Sequence, residues 1–124
     1  MRTISIKEIE GTERDVKFTG GNSLRLLIKE DGLGYAFMKT IIPKGGPHHW
    51  HYKNHKETCY CIYGTGVLTN LKTKEQHYIE PGTMYILDEH EDHTFEALQD
   101  LALISVFTPA LVGDETHDEN GVYG

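Results

Sequence analysis

Short runs of alternating polar and apolar residues, each closed by a turn, fill most of the chain from residue 24 onward. In such a run, side chains two residues apart share one face of a strand, so one face can be apolar and the other polar. The runs predicted as strands are residues 24–29, 34–42, 57–63, 66–70, 76–79, 83–87, 93–98 and 101–107. Glycine- and proline-containing turns separate them. Many short strands at regular spacing predict an all-β sandwich or barrel.

One short helix is predicted near the start of the chain. Ser5 followed by Glu8 has the spacing of a capping box, Ile6 and Ile9 supply an apolar side, and Gly11 is the expected stop. The sequence shows no repeat, linker or low-complexity segment, so residues 1–124 are predicted to form a single domain. Residues 113–124 form a polar tail, which is expected either to fray or to act as a lid.

Composition excludes several classes of partner. The net charge is −7, from 12 basic and 19 acidic residues, and no basic cluster offers a nucleic acid a local site. The first residues lack the apolar segment of a secretory signal, and no run of 18 apolar residues follows. Cys59 and Cys61, two apart on a predicted strand, are separated by roughly 6.5–7 Å, near the limit for a disulfide. We expect reduced cysteines, no membrane segment and a cytoplasmic protein.

Histidines and carboxylates concentrate in two short stretches, residues 48–57 and 88–93. Glu57 shares a strand face with Cys59 and Cys61, and His93 shares one with Phe95 and Ala97. A carboxylate among apolar neighbours needs a partner, because an isolated buried charge is costly. Imidazole and carboxylate ligands suit iron, zinc, cobalt, manganese or nickel.

Explanations other than a metal site remain open for these histidines and for Glu57. Glu57 and His93 can form a buried pair without a metal. His48, His49 and His51 are typical of a solvated loop. His77 and His90 are expected at the surface.

The two stretches resemble the motifs of the cupin family. His49 and His51 lead to Glu57 and then, after six intervening residues, to Gly64, as in the first cupin motif. The spacing from Gly82 to His93 matches the second motif. Five residues separate His51 from Glu57, where the family has three or four, so the resemblance favours Glu57 and His93 as ligands. It implies a small, jelly-roll-like cupin β-barrel.

A finer resemblance, to ectoine synthases, extends over nearly the whole chain. It rests on residues 10–16, 26–32, 51–55 (HYKNH), 60–62, 81–85 (PGTMY) and 117–123. In that family an iron ion is held by the residues that match Glu57, Tyr85 and His93. Ser105 stands where many relatives have cysteine, and Gly21 stands where an aromatic residue is common.

The resemblance implies a hydro-lyase reaction. N-γ-acetyl-L-2,4-diaminobutyrate closes to ectoine with loss of water, in the synthesis of a compatible solute under osmotic stress. The expected cofactor is Fe(2+), with Zn, Co, Mn and Ni as alternatives. The candidate acid and base groups are Tyr52, His55, Glu115 and His117. The candidate substrate contacts are Arg25 for the carboxylate, Thr40, Tyr52, Phe107 and Glu115.

Two other functions remain open from the sequence. The first is another metallo-cupin enzyme, an oxygenase or isomerase acting on a small acid. The second is a cupin that binds a ligand without catalysis. Because sheet edges in such barrels commonly pair between chains, a homodimer is expected as well.

Overall fold

A computed structural model describes residues 1–117 of the chain. Within these residues the fold is almost entirely β, with one helix, α1 (Ile6–Ile9), and a single 3₁₀ turn (Lys29–Asp31). The strands are β1 (Asp15–Phe18), β2 (Gly21–Leu27), β3 (Ala36–Ile42), β4 (Gly45–Trp50), β5 (Lys56–Tyr63), β6 (Gly66–Asn70), β7 (Gln76–Ile79), β8 (Met84–Leu87), β9 (His93–Ala97) and β10 (Leu101–Thr108). None of the helices in this part of the chain has the length and apolarity needed to cross a bilayer.

The strands form two antiparallel sheets. One sheet has six strands in the order β1-β2-β3-β10-β5-β8, and the other has four in the order β4-β9-β6-β7. The last strand, β10, lies between β3 and β5, so it joins parts of the chain that are far apart in sequence. Buried side chains from both sheets form one cluster. The expected all-β cupin architecture with a short N-terminal helix is therefore confirmed.

The alternation read from the sequence explains which side chains enter the core. Glu57, Cys59 and Cys61 are all buried on one face of β5, and His93 and Phe95 are buried on β9. Both cysteines are free thiols. The predicted inward face and the absence of a disulfide are confirmed, because side chains two apart on a strand point the same way.

Two strands were missing from the prediction. β1 was missed although Val16 and Phe18 alternate with polar residues in it, and β4 begins with Gly45, Gly46 and Pro47, which are typical of a turn. β4 pairs with β9 through a register shift between Gly45 and His48, which accommodates this turn-like sequence. The interpretation of His48 and His49 as loop residues is therefore wrong.

The N-terminal helix follows the predicted signals. The Glu8 carboxylate accepts a hydrogen bond from the backbone N–H of Ser5 at 2.9 Å, as in a capping box. The C-cap is Glu10, which donates to the carbonyl of Ile6, and Gly11 follows it at φ 75°, as expected of the stop. Ile9 buries the apolar side of this single turn.

Candidate metal and substrate site

The three predicted metal ligands lie on strands of both sheets. Glu57 is on β5 and Tyr85 is on β8 of the six-stranded sheet, and Cys59 lies opposite Tyr85 in their pairing. His93 is on β9 of the four-stranded sheet. Tyr52 connects them, because its ring centroid lies 5.6 Å from that of His93 and it also interacts electrostatically with Tyr85. Between residues 1 and 117, no three His, Cys, Asp or Glu side chains form a metal-binding group, so the predicted set depends on the phenol.

Glu57 is a carboxyl group with almost no access to water. Its residue is 6% exposed. Burial raises the pKa of Glu57 to about 8, and a hydrogen bond with Cys59 acts weakly the other way. An anion at this position therefore needs a cation nearby, since burial without one favours the neutral acid.

His93 is prepared to donate a lone pair. It is 1% exposed, and its Nδ1 lies 2.9 Å from the carbonyl oxygen of Glu91. A carbonyl only accepts, so Nδ1 carries the proton and Nε2 carries the lone pair in the neutral ring. Burial lowers the pKa of His93 to about 4, which keeps the ring neutral. Nε2 is buried and has no hydrogen-bond partner among the described residues, as expected of a metal ligand.

Tyr85, the third predicted metal ligand, belongs to a chain of hydrogen-bonded side chains inside the barrel. Burial, followed by the nearby Cys59 and Glu57 charges, raises the pKa of its phenol well above the usual value. Cys59 is hydrogen-bonded to Tyr85, and its Sγ lies 3.4 Å from Oγ of Ser105. Ser105 in turn hydrogen-bonds Thr40 at 2.9 Å. Thr40, predicted as a substrate contact, is thus hydrogen-bonded to Ser105. The members of this hydrogen-bonded chain come from four strands, so their spacing along the sequence does not reveal it.

The predicted acid and base groups fall into two arrangements. The hydroxyl of Tyr52 lies 2.8 Å from Nε2 of His117, and Phe107 packs edge-on against Tyr52 at 5.1 Å. The structure therefore brings these three together beside His93. His55 is buried nearby, with its Nδ1 donating to the carbonyl of Pro109 at 2.9 Å.

Arg25 and Glu115 contact each other and the backbone of residues 112–115. Arg25 is fully buried, and its terminal nitrogens donate to the carbonyls of Gly113 at 3.0 Å and Glu115 at 2.5 Å. The Glu115 carboxylate lies 3.6 Å from Arg25 and accepts from the amides of Val112 and Gly113. Although burial opposes it, these amides hold the pKa of Glu115 below its ordinary value.

These contacts engage part of the predicted substrate-binding pair with the protein itself. Three of the five N–H groups of Arg25 donate to protein acceptors, and its assignment to the substrate carboxylate stays a prediction. Residues 113–117 pack against the barrel rather than forming a free tail, with Gly113 close to Ile28. The rest of the predicted lid, residues 118–124, lies outside the described residues.

The remaining histidines are not among the predicted site residues, although the Nδ1 atom of His90 lies 2.9 Å from the carbonyl oxygen of Tyr52. His49 contacts the carboxylate of Asp92, and His51 lies 3.7 Å from the same carboxylate. His77 and His90 are exposed, as expected. Trp50, which the sequence interpretation did not select, stacks against several rings of the site.

A cavity opens onto the metal-ligand set. Its volume is about 600 Å³, and it lies between β8 and the β6–β7 hairpin. Tyr85 and His93 are part of its lining. This size is within the range of small-molecule sites, so a ligand of amino-acid size can enter.

The two-sheet β fold, with the Glu57 carboxyl, the Tyr85 phenol and the His93 imidazole carried on strands of its two sheets, defines a cupin. The fold matches a solved RmlC-like cupin from Shewanella frigidimarina with a TM-score of 0.61, at 18% identity over 73% of this chain and 78% of that one. A crystal structure of ectoine synthase from P. lautus matches with a TM-score of 0.86, at 38% identity over 91% of this chain and 81% of that one.

The sequence comparisons give the family. A protein-family sequence model described as ectoine synthase matches residues 1–124. An L-ectoine synthase from Halalkalibacterium halodurans is 42% identical over 99% of this chain and 95% of its own length. The chain therefore belongs to the ectoine synthase family, a family of hydro-lyase enzymes. The family resemblance read from the motifs is confirmed.

Proposed function

We propose that this chain catalyses the ring closure of N-γ-acetyl-L-2,4-diaminobutyrate to ectoine, with iron(II) as its cofactor. The observation that carries the proposal is the buried, unpartnered Nε2 of His93 in a chain that belongs to the ectoine synthase family. In this reaction the α-amine attacks the amide carbon of the same molecule, and the acetyl oxygen leaves as water.

The residues present fit a metal ion. Glu57, Tyr85 and His93 would hold it, because a neutral imidazole with a free lone pair and a carboxyl group that lacks a cation are both at hand. Iron(II) bound there would act as a Lewis acid that polarises the acetyl carbonyl. Zinc, cobalt, manganese and nickel accept the same oxygen and nitrogen donors. Three protein ligands would leave room for substrate, as in catalytic sites.

Tyr52 and His117 are the residues that we propose for proton transfer. Their 2.8 Å hydrogen bond lets one proton pass between phenol and imidazole. The α-ammonium must lose one proton before it attacks and a second one afterwards, and the acetyl oxygen must gain two protons to leave as water. Phe107, 1% exposed and packed on Tyr52, shields the pair from water. Glu115 contacts Arg25 and accepts hydrogen bonds from backbone amides, so we assign it a structural role in positioning residues 112–115.

The reaction is tested with protein purified and loaded with iron(II) in the absence of oxygen. We expect stoichiometric conversion of the acetylated diamino acid to ectoine, because ring closure with loss of water consumes no oxidant. Product is followed by chromatography, and protein treated with a chelator is the control. A requirement for O₂ would indicate an oxygenase instead, and binding without product would indicate a ligand-binding cupin.

A second copy of the chain is the partner that we propose. β8 is an edge strand, and Met84 and Ile86 on it are exposed, next to exposed Tyr60 on β5. An edge strand with apolar side chains favours pairing with another chain.

Light scattering is expected to give a mass of twice 14.1 kDa. Met84→Lys together with Ile86→Lys should yield a monomer, because two charges would be buried at the interface. Leu33→Lys, at an exposed position in the β2–β3 connection, is the matched control and should stay dimeric. A monomeric wild-type protein at micromolar concentration would contradict the proposal.

A cytoplasmic location and a role under osmotic stress complete the proposal. The location is supported by the two free, buried cysteines. The role follows from the compatible solute that the reaction would produce.

A further inference from the structure

The indole of Trp50 is a buried donor without an acceptor. Trp50 is the only tryptophan of the chain and is 4% exposed. Its Nε1 is buried and has no hydrogen-bond partner within the described part of the chain. An indole N–H can only donate, and leaving a buried donor unpaired costs free energy. A ligand that brings an acceptor oxygen would remove this cost.

The indole lies among the rings of the proposed site. It stacks on His117 at a centroid distance of 5.2 Å, and its centroid lies 6.5 Å from that of His93. Among residues 1–117, the buried Nε2 atom of His93 also has no hydrogen-bond partner. Two neighbouring rings that both carry unsatisfied polar atoms indicate a place that a polar ligand occupies.

The fold holds this donor in a fixed orientation. His48 and Phe95 stack near-parallel on Trp50, at 5.5 and 6.1 Å, and Phe18 meets it edge-on at 5.7 Å. Gly20, at φ +103°, allows the β1–β2 turn to approach, since a Cβ there would lie 2.8 Å from the His48 ring. A donor clamped in this way loses little conformational freedom when a ligand binds.

The substrate offers this donor an acceptor. Three of the five N–H groups of Arg25 already donate, to Ser23, Gly113 and Glu115. We propose, resting on the proposed function, that Trp50 Nε1 donates a hydrogen bond to the α-carboxylate of the substrate. A carboxylate is a stronger acceptor than the neutral acetyl oxygen, so this contact distinguishes amino acids from their uncharged analogues.

The single indole makes the proposal testable by NMR without turnover. Metal-free, ¹⁵N-labelled wild-type protein is titrated with the substrate and with its α-carboxamide analogue, and affinities are measured by calorimetry. We expect the one indole N–H signal to move downfield with the substrate and to saturate at the calorimetric Kd. Trp50→Phe should bind the substrate about tenfold more weakly and the carboxamide almost unchanged. An indole signal that does not move at saturation would overturn the proposal.

Phe18→Leu is the matched packing control. It removes a ring that contacts Trp50 but no hydrogen-bond donor, so it should weaken both ligands by the same factor. If Trp50→Phe also weakens both ligands equally, the indole is structural and the proposal fails. If Trp50→Phe does not fold, the wild-type titration still decides. Failure of the proposed function is seen separately, as iron-loaded wild-type protein that forms no ectoine.

Discussion

Glu57→Ala is expected to abolish both iron binding and turnover. Glu57 is buried, and it is the one carboxylate among the three proposed ligands. Loss of an outer partner of a metal site typically costs about 10–100-fold in affinity or activity, and loss of a ligand should cost at least the upper value. Bound iron is measured by elemental analysis of anaerobically purified protein, and ectoine formation is measured on the same samples.

Two further variants separate charge from structure. Glu57→Gln keeps the shape of the side chain and removes the negative charge, so it should also lose iron while the fold is retained. Glu80→Gln removes a carboxylate from an exposed position between β7 and β8, and it should keep both iron and activity. Full iron content in Glu57→Ala would show that the iron is held by other residues.

The metal-free protein is expected to lose stability as the pH rises toward 8. The pKa of Glu57 is raised by burial from its ordinary 4.5 to about 8, so the folded state binds one proton more than the unfolded state within that window. This contribution is fully present below pH 4.5 and is lost as the pH rises through 8. The free energy of unfolding should therefore fall by about 1.4 kcal/mol per pH unit from this group.

His93 acts in the opposite direction at lower pH. Its pKa is lowered by burial from 6.5 to about 4, so stability from this group rises with pH between those values. The two contributions offset each other up to pH 6.5, and the decline from Glu57 is seen between pH 6.5 and 8. Glu57→Gln should lack that decline. Urea denaturation of both proteins in the presence of chelator gives the free energy of unfolding at each pH. If that free energy depends on pH in the same way in both proteins, the raised pKa of Glu57 is contradicted.

The alternation of side chains along strands was enough to predict the inner faces of the barrel. Glu57, Cys59 and His93 are buried as expected, because side-chain direction depends only on local strand geometry. The strand β4 could not be recognised in the same way, because Gly45 and Gly46 at its start have the composition of a turn.

Contacts between distant segments could not be predicted from spacing. Tyr52 meets His117 across 65 residues, and Arg25 meets Glu115 across 90. Such pairs depend on the order of strands in the sheet, with β10 inserted between β3 and β5, and on the path of the chain after β10. Only the folded chain therefore shows that Arg25 already donates to Gly113 and Glu115.

The bonds from Arg25 to Gly113 and Glu115 have a consequence for biosynthesis. A ribosome synthesises the chain from its N-terminus. Arg25 on β2 therefore leaves the exit tunnel long before its acceptors in Gly113 and Glu115, which follow 88 and 90 residues later. Until those residues leave the exit tunnel, the guanidinium has no carbonyls to bind and His117 cannot reach Tyr52. A nascent chain that stalls just before residue 113 would thus contain all ten strands described here but leave the Arg25 guanidinium without these two acceptors.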